Sequence, residues 1–221
     1  MNHIKHLLFT RFKTFTLLSA TMVGSMILLM IRMKLSHSFH FLFLVWNLFL
    51  AVIPFLITTY MTSHDKLNKL SLLFGFLLWL PFLPNAPYII TDLLHLNGSS
   101  THIMWLDTLV VSSFALNGLL LFFVSLMDMQ KVLSQFFKGK YINPAIFVIL
   151  FLSGFGVYLG RFLRYNSWEI IQNPLSLFND IIHLILHPRQ HQEAWLFTIL
   201  FSGFLSLGYW VYTSMTTNER Y

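Results

Sequence analysis

Two stretches of this chain hold residue types that could do chemistry. In LPFLPNAPYIITDLLHL, residues 80–96, Tyr88, Thr91, Asp92 and His95 stand at i, i+3, i+4 and i+7. That spacing puts all four on one helical face, with Ile89, Ile90, Leu93, Leu94 and Leu96 covering the rest. A carboxylate and an imidazole on one face are the parts of acid–base catalysis. The second stretch, GFGVYLGRFLRYNSWEIIQNPLSLFNDIIHLILHP at 154–188, carries Arg161, Arg164, Glu169, Asp180, His183 and His187. Paired guanidinium groups grip phosphate or carboxylate in bidentate fashion, so this stretch reads as an anion site.

Other chemistries find less support. His183 and His187 have the i, i+4 spacing of helical zinc ligands, and Asp180 shares their side. With Asp92 and His95 they would make a metal set. Against this, ten histidines spread from His3 to His191 produce such pairs by chance, and no H-E-x-x-H occurs. The expectation is no metal and no cofactor. Ser112, Ser113, Ser153 and Ser167 lack a G-x-S-x-G context, so no nucleophile is assigned and catalysis stays an open question. The absence of cysteine excludes thiolate metal sites, iron–sulfur clusters and disulfides.

These residues need elements to position them, and composition says what kind. The 221 residues are 56% hydrophobic and 10% charged, with mean hydropathy +0.68. Soluble domains carry roughly 25% charged residues, so too little polar surface remains here to cover a globule in water. The chain reads as all-α: a polytopic membrane protein forming one domain over 1–221, with six transmembrane helices and short interfacial helices on the outer face. The spans are placed at 14–31, 39–60, 70–84, 107–127, 143–160 and 194–213. The basic start followed by an apolar run imitates a secretory signal but lacks a good cleavage site, so it is read as the first span. Pro54 is expected to be tolerated inside span two.

Pro81 and Pro84 are predicted to end span three at the outer surface. Asn85 would then cap a short interfacial helix that Asn97–Gly98 stops. In the second outer loop, Gly156 and Gly160 form a small-xxx-small pair for helix contact. Asn166 and Glu169 have capping-box spacing there. Ser176–His187 forms a further amphipathic piece. Asn47 and Asn117, inside spans two and four, are expected to hydrogen-bond neighbouring helices rather than substrate.

Nine Lys and Arg fall on one side of this arrangement: Lys5, Arg11, Lys13, Lys66, Lys69, Lys131, Lys138, Lys140 and Arg220. Five fall on the other: Arg32, Lys34, Arg161, Arg164 and Arg189. The positive-inside rule therefore puts both termini in the cytoplasm. Trp79, Trp105, Trp168 and Trp195 would lie near outer span ends. The net charge of +6 suits anionic lipid rather than nucleic acid, since no basic run interleaved with aromatics occurs.

Charges close to hydrocarbon must pair or face a wet cavity. One expectation is a structural network that pins the loops. Another is an outward-facing polar pocket of Tyr88, Asp92, His95, Asp107, Arg161, Arg164, Glu169 and Asp180, which binds or transports an anionic envelope component or lipid head group. There Asp92, Asp107 and Glu169 would orient the arginines. The alternative is a membrane-embedded enzyme in which Asp92 and His95 act on a lipid-linked substrate.

The motifs LPFLPNAPYIITDLLHL, WLDTLVVSSFALNGLL, GFGVYLGRFLRYNSWEI and NPLSLFND resemble a family of small bacterial multi-pass membrane proteins classed as a domain of unknown function. The resemblance runs from about Phe41 to Trp210. It implies a polytopic protein of the bacterial cytoplasmic membrane. The positions it carries over are Pro84, Asn85, Pro87, Tyr88, Asp92, His95, Trp105, Asp107, Gly156, Tyr158, Gly160, Arg161, Arg164, Asn166, Trp168 and Asp180. His183 and His187 lie outside those motifs, which weakens the metal set.

Overall fold

A computed structural model describes residues 11–64, 67–98, 102–165 and 172–218, and no strand occurs among them. In a chain this apolar, helices satisfy every backbone group internally, which is what hydrocarbon demands. Six stretches are long and apolar enough to cross a membrane: Phe12–Ser36, Phe43–Thr62, Lys69–Leu96, Met104–Ser134, Gly139–Arg161 and Gln192–Thr216. The protein is thus a multi-pass helical membrane protein. The helices are α1 (Phe12–Ser36), α2 (Phe43–Thr62), α3 (Lys69–Phe82), α4 (Asn85–Tyr88) running into a 3-10 helix (Ile89–Gly98), α5 (Met104–Ser134), α6 (Gly139–Arg161), α7 (Pro174–Leu186) and α8 (Gln192–Asn218). Pro54 sits inside α2, which continues through it. Two compact units, 1–129 and 130–221, divide the chain.

In the first unit a ladder of polar contacts joins α1 to α5. At one end Arg11 forms an ion pair with Asp128, its Nη2 donating to Oδ1 at 2.8 Å. At the other, Arg32 Nε donates to Asp107 Oδ1 at 2.7 Å. Midway, Asn117 Nδ2 donates to Ser25 Oγ at 2.8 Å, and Thr21 Oγ1 donates to Asn117 Oδ1 at 2.7 Å. The steps match: 32 − 11 and 128 − 107 are both 21 residues. At ~1.5 Å per residue that is about 31 Å, the thickness of a hydrocarbon core. The two ion pairs therefore bracket the membrane, and Asn117 marks its middle.

That ruler relocates the proline stretch. Trp79 Nε1 donates to Ser125 Oγ at 2.8 Å, close to the Asp128 end. Further along, a Cβ on Gly118 would run into the carbonyl oxygen of Ala86. The chain from Lys69 to Leu96 thus runs antiparallel to α5, with Ala86 near mid-membrane. The expectation that Pro81 and Pro84 end span three at the outer surface is corrected: they interrupt a crossing halfway. The 14 residues of α3 cover only about 21 Å, and the 3-10 helix completes the passage. Two smaller corrections accompany this one. Pro84, not Asn85, precedes α4, and Asn85 Nδ2 donates back to the Phe82 carbonyl at 2.9 Å. Trp79 is fully buried rather than at an outer end.

In the second unit α6 and α8 pack at Gly154, where a Cβ would strike the Ser202 hydroxyl. Gly154 is thus a small residue that permits this approach. Phe155 stacks on Trp195 with ring centroids 6.0 Å apart. Pro174 is the first residue of α7, where its missing N–H costs nothing. Leu175, Phe178, Ile182 and Ile185, at i, i+3, i+7 and i+10, are all exposed, while Leu184 is buried. An outward apolar stripe on a short helix between two spans suits the membrane interface.

Candidate functional site

The break in the third span creates one polar site. Six residues beyond Ala86, roughly 10 Å toward the Asp107 end, Asp92 is 1% exposed. A carboxylate at that depth is costly unless hydrogen-bonded. Asn47, on the facing side of α2, donates Nδ2 to Asp92 Oδ2 at 2.8 Å. The other oxygen, Oδ1, lies 3.7 Å from His95 Nδ1, and the His95 side chain is 38% exposed. In a 3-10 helix residues i and i+3 eclipse, which is what lines His95 up over Asp92. Phe43 flanks the imidazole at 5.1 Å between ring centroids.

The stripe foreseen in the sequence is therefore partly assembled. Asp92 and His95 come together. Thr91 spends its hydroxyl on the Tyr88 carbonyl at 2.7 Å, and the Tyr88 side chain is half-buried. Asn47 and Asn117 both hydrogen-bond neighbouring segments, as expected. The resulting dyad is a buried carboxylate orienting a half-exposed imidazole, an arrangement able to take and return a proton.

Asp107, fully buried, has Arg32 as its partner. The guanidinium also donates Nη1 to the Ser38 carbonyl at 3.0 Å and lies 4.7 Å above the Phe41 ring. The pairings of Arg32 with Asp107 and of Arg11 with Asp128 were not foreseen. A signal appears only when the ends of spans one and four are compared: two arginines and two aspartates, each pair 21 residues apart, an antiparallel match one membrane thickness long.

The second candidate cluster belongs to the other unit. Arg161 is the last residue of α6. Arg164 follows with φ 62, exposed. Left-handed backbone costs a non-glycine residue about 1–2 kcal/mol, so local contacts must hold it. Tyr165 N–H closes the turn on the Leu159 carbonyl at 3.1 Å. Its hydroxyl donates to Asp180 Oδ2 at 2.7 Å, tying the turn to α7. Asp180 thus anchors a tyrosine. Glu169, with Asn166 and Trp168, lies outside the described residues.

His183 and His187 do stack, at 4.5 Å between centroids, and His183 Nδ1 meets His191 Nε2 at 2.9 Å. No group of three or more His, Asp or Glu that could hold a metal occurs among the described residues.

Residues 46–207, most of the chain, match the model of a family described as "Protein of unknown function (DUF1361)". No curated protein and no solved structure matches the chain.

Proposed function

Because the chain belongs to the DUF1361 family of proteins of unknown function, its role must come from its own residues, and we propose that it binds an anionic head group of a membrane or envelope component through Arg161 and Arg164. The observation that carries this reading is Arg164: a non-glycine residue in left-handed backbone, exposed beside the end of a span. Such outliers persist where surrounding structure over-determines them, and they cluster at ligand clamps. Two guanidinium groups three residues apart at the head-group level offer a phosphate or carboxylate charge-assisted bonds. Binding is favoured over transport, because the polar residues at mid-membrane depth are engaged: Asn117 also donates to the Ser113 carbonyl at 2.9 Å, beside Ser25 and Thr21. With both termini in the cytoplasm of a bacterial cell, as the Lys and Arg distribution supports, the cluster faces outward.

The test uses the full chain in phosphatidylcholine nanodiscs, titrated with soluble dihexanoyl phosphatidate. Losing one charged hydrogen-bonding partner should weaken binding roughly tenfold, so Arg164→Ala and Arg161→Ala should each do so. Wild-type affinity in both variants overturns the reading.

A second reading rests on the 3.7 Å approach of His95 to Asp92. There the protein is an enzyme whose His95 moves a proton on a lipid-linked substrate, with Asp92 as the positioning residue. Asp92 sets the charge and position of the imidazole, so Asp92→Asn should change the rate at which diethyl pyrocarbonate modifies His95. Equal rates in the two proteins would remove the dyad as a functional unit.

A further inference from the structure

A second feature of the first unit bears on lipid directly and does not depend on the arginine site. Between α2 and α3, at the end of the membrane marked by Arg11 and Asp128, lies a groove of about 790 Å³. Leu56 and Tyr60 form one wall and Leu70, Phe74 and Leu78 the other, all exposed. Its floor is made by Met61 lying across Gly75, where a Cβ would sit 2.6 Å from the Met61 sulfur. A side chain at Gly75 would force the end of Met61 to shift.

Depth and polarity identify the occupant. Trp79 meets Ser125, three residues short of Asp128, so the groove crosses the edge of the hydrocarbon: Leu56 and Leu78 lie inside it, Phe74 close to it, and Asn68 about 12 Å beyond. A water-soluble ligand gains little from walls that run into hydrocarbon, whereas a lipid at the edge can lay its acyl chain along them and keep its head group outside. The mouth is polar: His64, Asn68 and Ser71 line it, and Lys69 is exposed beside it. A cation at the open end complements a lipid phosphate there. We propose that this groove is a binding site for a single anionic phospholipid, with one acyl chain between α2 and α3 and its phosphate beside Lys69.

Native mass spectrometry of the full chain, released from detergent supplemented with equal phosphatidylglycerol and phosphatidylcholine, tests it. One lipid should stay bound, phosphatidylglycerol preferred by roughly five-fold, the worth of one lysine beside an anionic head group. Lys69→Glu should abolish the preference. Leu56→Trp, at an exposed wall position where folding is not at stake, should fill the groove and release the lipid. Equal retention of the two lipids by the wild type, an unchanged preference in Lys69→Glu, or an undiminished lipid in Leu56→Trp each overturns the site. Lys13→Glu, at an exposed lysine outside the groove, serves as the control, and its lipid preference should equal the wild type's, which ties the preference to the groove.

Discussion

Arg32 and Arg164 are the same residue type at the same kind of place, the end of an apolar helix, yet they have opposite fates. Arg32 is 4% exposed. It places its guanidinium on Asp107, on the Ser38 carbonyl and over the Phe41 ring. Arg164 is exposed on a strained turn, and no polar partner for its side chain occurs among the described residues. The first charge is buried within the fold; the second is exposed on a strained backbone. A charge near hydrocarbon therefore says nothing about function until its partner is known.

The comparison breaks most visibly at Arg32. Removing it leaves Asp107 buried without its guanidinium, and orphaning one partner of a buried pair costs about 3–5 kcal/mol. Arg32→Ala should sharply lower the folded fraction in detergent, followed by helix content during denaturant titration. Adding Asp107→Ala should recover part of that loss. If the single variant is as stable as wild type, the ladder is not what registers α1 against α5.

A middle-sized effect is expected at Gly118. Its Cα approaches the Ala86 carbonyl so closely that alanine must push the broken span away from α5. Overpacking of this sort costs typically 1–3 kcal/mol. The same shift would move Asp92 relative to Asn47, so Gly118→Ala should also alter His95 reactivity toward diethyl pyrocarbonate. Lowered stability with unaltered His95 reactivity would mean that the dyad is not positioned by the break.

How much of this was legible follows from the physics of each signal. Hydropathy is local and additive, so the spans and the helical fold were readable, as was the bonding role of Asn117. Pairing is not local. Arg32 and Asp107 are 75 residues apart, and nothing in either neighbourhood names the other. The proline stretch was half legible. Pro81 and Pro84 announce a break, but its depth depends on how far the chain continues helical afterwards. The warning was the shortness of 70–84, too brief to cross ~30 Å, which required residues 85–96 to finish the passage. For the arginine cluster, the order Arg161–Arg164 was readable, whereas the positive φ at Arg164 has no sequence signature, since glycine or asparagine would ordinarily stand there.

That missing glycine gives the smallest predicted effect and the most discriminating one. If the turn after α6 needs φ near 62 only to connect two segments, glycine should serve it better. Arg164→Gly relieves the Cβ clash of the left-handed region, about 1–2 kcal/mol. It also gives back up to ~1 kcal/mol through the greater freedom of the unfolded chain. A net stabilisation of about 0.5–1 kcal/mol follows, measurable as a rise in denaturation midpoint. Phosphatidate affinity should fall in the same variant by as much as in Arg164→Ala. Stability gained and binding lost would mean that the arginine is kept for its charge at the expense of the fold, the reverse of Arg32. Stability lost would make Arg164 a second structural arginine, and the contrast between the two would collapse.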